Sequence, residues 1–64
     1  MRDKDKKYWV VQYIKGVYNA YGPYLTPDGR DHRFDRTSGG EVYKHDSWSG
    51  DPEEVIDEFK AREV

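Results

Sequence analysis

Sixty-four residues suffice for one domain and not for two, and a chain of this size hides only about 60% of the surface its unfolded form exposes. The charged share of 38% against a hydrophobic share of 34% leans toward disorder, yet 16% aromatic residues and a net charge of -2 oppose a solvated coil, so the rings must build the core. With no cysteine, a disulfide framework and a thiolate zinc site are both excluded.

Residues 1–7 mix acid and base without an apolar partner, which predicts a flexible charged arm and leaves residues 8–64 as the single domain. The apolar stretch at residues 8–14 contains Gln12 and falls well short of the roughly 20 residues that cross a bilayer. Together with the basic start it mimics a secretory leader, but it is too aromatic and no small-residue cleavage site follows, so a soluble, cytoplasmic protein with no membrane partner is expected. Residues 8–15 are dense in β-branched and aromatic types and run into Gly16, which predicts a strand. Alternation places Trp9, Val11 and Tyr13 on one face and Tyr8, Val10, Gln12 and Ile14 on the other. Both faces are largely apolar, so this strand should lie centrally.

Residues 17–25 read either as a continuing strand broken by Gly22-Pro23 or as a loop over the sheet. Thr26-Pro27-Asp28-Gly29 has the chemistry of a hairpin tip. Residues 30–36 follow as a strand with His32, Phe34 and Arg36 on one face and Asp31, Arg33 and Asp35 on the other. Thr37-Ser38-Gly39-Gly40 forms a second turn, and residues 41–46 the last strand, where Val42 and Lys44 oppose Tyr43 and His45. In Asp51-Pro52-Glu53-Glu54, Asp51 can cap the first amides, Pro52 suits the first helical position and Glu54 answers the positive dipole end. A helix should start at Pro52, with Val55, Ile56 and Phe59 inward and Glu53, Asp57, Glu58 and Lys60 outward. The predicted fold is α+β, a three-stranded antiparallel β-sheet packed on one C-terminal α-helix in the order β-β-β-α. Small domains of that order also lay their strands in the DNA major groove, an analogy of architecture that carries no residue with it.

Charge is segregated along the chain. Residues 1–40 hold eight Lys or Arg against five Asp or Glu, and residues 41–64 hold three against eight. If the helix covers one sheet face, the other is left open, with Tyr8, Tyr18, Tyr21 and Tyr24 beside Lys15, Arg30, Arg33 and Arg36. Rings and guanidinium groups in that mixture suit either a protein hot spot or stacked bases and phosphates. The binding residues expected are Tyr18, Tyr21, Tyr24, Arg30, Arg33 and Arg36. Against that, the tyrosines can simply be core, and Asp28, Asp31 and Asp35 can neutralise the arginines along an ordinary solvated strand.

Catalytic signatures are lacking. His32 and His45 with Asp31, Asp35 and Asp46 offer no HxH or HExxH spacing, and Asp28-Gly29-Arg30-Asp31 matches only the start of a calcium loop. The serines and threonines have no cleft to work in, Asp57 and Glu58 diverge on their helix, and no phosphate-cradling GxxxxGK[ST] occurs. The chain is expected to be no enzyme, to take no cofactor, and to act as a small binding or regulatory module through its open sheet face. A protein partner or a homo-dimer is the first expectation, and nucleic acid bound by the same face the alternative.

Overall fold

The computed structural model describes residues 6–63. Strands β1 (Lys7–Ile14), β2 (Val17–Tyr24) and β3 (Glu41–Ser47) form one antiparallel sheet in the order β2-β1-β3, joined by helices α1 (Pro27–Arg36) and α2 (Pro52–Glu63). The α+β class, the three antiparallel strands and the helix that follows them are as expected. The central place of β1 is too, and its register with β3 runs unbroken from Lys7 opposite Ser47 to Tyr13 opposite Glu41. Lys7 thus belongs to the sheet and not to a leading arm, whereas residues 1–5 lie outside the described residues.

Two segments depart from the expectation. Lys15 and Gly16 both have positive φ, 53° and 79°, the geometry of a two-residue turn whose twist matches that of its strands. The turn sends residues 17–24 back along β1 as an edge strand, resolving the ambiguity between strand and loop. The segment at residues 30–36, expected as a strand after a hairpin tip, is helical from Pro27 onward. Thr26 is an N-cap whose hydroxyl accepts from the Gly29 N–H at 3.2 Å, and Pro27 occupies the first turn beside Asp28. A type I turn and the first turn of a helix share their backbone angles and their favoured residues, so this tetrapeptide suits both. The helix ends at Thr37, whose N–H bonds the Phe34 carbonyl and whose hydroxyl donates to the Arg33 carbonyl.

The main core lies between the sheet and α2. Trp9, Val11, Val55 and Phe59 are buried there, with Tyr18, Ala20 and Tyr43 packed around them. Phe59 is the hub, its ring centroid 4.9 Å from that of Tyr43 and about 6 Å from those of Tyr18 and His45. Asp51 caps α2 by accepting from the Glu53 N–H at 3.0 Å. Opposite Trp9 the β1–β2 register slips around Gly22-Pro23; a Cβ at Gly22 would stand 3.1 Å from both the Trp9 ring and the Tyr8 carbonyl oxygen, so only glycine lets the indole lie so close.

The second sheet face is not open. Helix α1 covers it, contacting all three strands, and Val10 beneath is fully buried. The cover is almost without apolar side chains. Its one buried residue is Arg30, 8% exposed, which donates to Asp46 and Asp31 at 2.9 Å each and to the His45 carbonyl at 3.3 Å. Lys6 and Lys44 extend the chain of charges from Asp46 and from Asp31, each at 3.4 Å. Rings on both sides of the interface take cations on their faces: Arg30 of α1 lies 5.4 Å from the centroid of Tyr8 on the sheet, and Lys44 of β3 4.9 Å from that of Phe34 on the helix. An interface of this kind replaces hydrocarbon by paired charge and ring quadrupoles, and its strength depends on keeping those carboxylates ionised.

Candidate binding groove

A helix turning about 100° per residue divides α1 into sectors. Arg30 and Phe34 face the sheet, Asp28 and Asp35 share the outer edge, and Gly29, His32, Arg33 and Arg36 line up on the remaining side. That last side, facing the edge strand β2, walls an open groove of about 530 Å³. Tyr21 and Tyr24 form the opposite wall, Gln12 the floor, and Thr37 with Ser38 the end.

Hydrogen bonds hold the floor rigid. Gln12, 6% exposed, donates from Nε2 to the carbonyls of Ser38 and Gly39 at 3.0 and 2.9 Å, and its Oε1 accepts the Tyr21 hydroxyl at 2.7 Å. One side chain therefore ties β1 to β2 and to the loop before β3. That loop passes close to the strand end: Gly40 has φ 62°, and a Cβ there would collide with the Tyr13 carbonyl oxygen. On the wall, the Arg33 guanidinium stacks 4.4 Å above the Tyr21 ring, which orients the cation toward the groove at little entropic cost. Tyr24 lies against Gly29, where a Cβ would stand 3.6 Å from its ring, so this wall meets α1 at ordinary van der Waals distance.

Electrostatically the groove is one-sided. Arg33 and Arg36 are exposed, His32 is beside them, and among the described residues no carboxylate lines it. The neighbouring charge cluster behaves differently. Burial by itself lowers the Arg30 pKa, but hydrogen bonds to Asp46 and Asp31 outweigh it and hold the guanidinium above its ordinary value. Desolvation pushes the Asp46 carboxyl up, and its bonds to Arg30 and Lys6 bring it below the usual carboxylate range; Asp31 is held low chiefly by its bond to Arg30. Arg30 is thus a structural pin rather than a group available to a ligand.

The structure consequently sorts the six expected residues into three places. Tyr21, Tyr24, Arg33 and Arg36 converge on the groove. Arg30 is buried between α1 and the sheet, and Tyr18 lies on the other sheet face, against Phe59 and under the Lys60 ammonium at 5.1 Å. Gln12, His32, Thr37 and Ser38 belong to the groove and were not anticipated. Reading residues 29–36 at helical spacing places Gly29, His32, Arg33 and Arg36 together, which strand alternation cannot do. The two histidines are separated by the sheet: His45 is buried at 3.1 Å from Glu58, on the α2 side, and among the described residues no cluster of three metal-binding side chains occurs. Among those residues no helix is long and apolar enough to cross a membrane. No protein-family description, curated protein or solved structure matches this chain.

Proposed function

We propose that this chain is a non-catalytic binding module whose α1–β2 groove takes single-stranded nucleic acid. One observation carries the reading: Arg33 and Arg36 stand beside the rings of Tyr21 and Tyr24 in an open groove that, among the described residues, no carboxylate lines. Arginine forks match phosphate oxygens, and tyrosine offers a π-face to unstacked bases of any identity. The acidic outer side of α2 does not oppose this, because the sheet separates it from the groove. The protein-partner reading drew on a broad aromatic patch; with α1 over that face and Tyr18 on the other, the remaining surface is narrower and more cationic. A cytoplasmic setting is part of the same proposal.

The test is fluorescence anisotropy with a labelled mixed-sequence oligonucleotide of about 12 nucleotides, within the range one small domain covers. Two phosphates neutralised on a single strand give a log–log salt slope of about -1.4. R33A/R36A should abolish binding, and Tyr24→Ala should weaken it at least about fivefold, the value of one stacked base at the lower end of its range. No binding at low salt, or binding indifferent to both arginines, rejects the proposal.

A further inference from the structure

The groove has a counterpart on the same molecule. Along α2, Glu53 and Asp57 are one turn apart on the side away from the core, with Ala61 in line behind them. Their neighbours are engaged, Glu54 by the Ser49 hydroxyl and Glu58 by His45. Glu53 and Asp57 are exposed and take part in no ion pair among the described residues. Arg33 and Arg36 are likewise exposed and enter no ion pair among those residues. Both pairs thus sit about one helical turn apart, at side-chain spacings of about 5–6 Å. A small residue at position 61 lets the acidic helix approach closely.

From this match we infer that a second copy of this chain docks the Glu53/Asp57 side of its α2 into the α1–β2 groove, so that the protein associates with itself head to tail. Groove and acidic helix lie on opposite faces of a body whose shortest dimension is 17 Å. A two-fold dimer cannot satisfy both contacts of one copy at once, so the contact is heterologous and copies add head to tail beyond a pair, as a ring or an open chain according to the rotation between them. Two carboxylates a turn apart also stand in for two phosphates, so the acidic helix and a nucleic-acid strand compete for the same arginines. The inference uses the groove of the proposed function and adds its second occupant.

Sedimentation velocity over a concentration series at low salt tests it. The weight-average mass should climb past that of a dimer, whether it then levels off at a closed ring or keeps rising, and fall as salt is added. R33E/R36E and E53K/D57K should each stay monomeric, their association weakened at least about tenfold, and an equimolar mixture of the two should associate again because each repulsive surface now meets its opposite. If R33E/R36E loses its circular dichroism, the exposed single variants R36E and D57K carry the same crossed design. A wild-type protein that remains monomeric at the highest concentration, one that stops at a dimer, or a mixture that stays apart overturns the inference. Adding the oligonucleotide separates the two readings. Chains that form but ignore it leave self-association standing and remove the nucleic-acid function; an oligonucleotide that binds without dispersing existing chains removes the shared groove and leaves the nucleic-acid function.

Discussion

Replacing Arg30 by methionine tests how α1 is held. The substitution keeps the unbranched stem and removes the guanidinium, with its bonds to Asp46 and the His45 carbonyl and its place over Tyr8. Asp46 has 39% of its side chain exposed and recovers water, so the loss is well below the roughly 3–5 kcal/mol of stranding a fully buried partner. The His45 carbonyl loses a donor in a buried setting, about 1 kcal/mol, and the partly shielded charge-assisted bond adds about 1–2 kcal/mol. Asp31 is solvated enough to add nothing to this sum. The expected destabilisation is about 2–3 kcal/mol, which for a domain near 60 residues lowers Tm by about 10–20 °C. Thermal unfolding followed by circular dichroism gives the total, and hydrogen exchange gives its location: α1 amides should lose protection before those of β1. A Tm within about 2 °C of wild type, or equal loss of protection in both elements, would refute the view that paired charge fastens this helix.

Three further outcomes follow from the same geometry. Phe59→Ala removes the hub of the aromatic cluster and should cost about 3–5 kcal/mol, enough to leave much of the protein unfolded at room temperature in a denaturant titration. Tyr21→Phe strands the Gln12 Oε1 and should cost about 1–3 kcal/mol while leaving the Arg33 stack in place, to be read as a fall in the urea midpoint with unchanged m. Asp46 and Asp31 titrate below their ordinary values because of Arg30, and Glu58 does so because of its bond to His45. Carboxyls with depressed folded-state pKa values contribute stability that is present above the unfolded carboxylate range, about pH 4, and is lost as the pH falls through their folded values. Tm measured from pH 7 to pH 2 should therefore drop most steeply below pH 4, with a shallower drop for Asp46→Asn.

Covering a sheet face by charge has a functional corollary. A helix with an apolar stripe would have turned one side to the sheet and left an undifferentiated polar exterior. In α1, the pinning role of Arg30 leaves Arg33 and Arg36 without carboxylate partners among the described residues, so cations of one short helix serve two purposes according to their angular position. Arg33 itself is held by a ring instead of an acid, which retains its full charge for a ligand.

Local chemistry and alternation were enough to determine much of this protein. The packing of β-branched and aromatic residues at 8–14 specified β1 and its central place, and Asp51-Pro52 with the Val55, Ile56, Phe59 stripe specified α2, because each signal is contained within a few neighbouring residues. The clustering of tyrosine and arginine in the first forty residues pointed to four of the groove's side chains. Tertiary structure alone decided the rest. The register of β2 against β1 put Tyr18 on the α2 side of the sheet, a pairing no local signal specifies. Residues 30–36 hold a single apolar residue, Phe34, and so fix no period, and the Thr26 cap, which suits a turn equally, becomes a helix start only with a sheet face waiting for Arg30 and Phe34. That choice moved Arg30 from ligand to pin and brought His32 beside Arg33, since a helix and a strand distribute the same side chains over different directions in space.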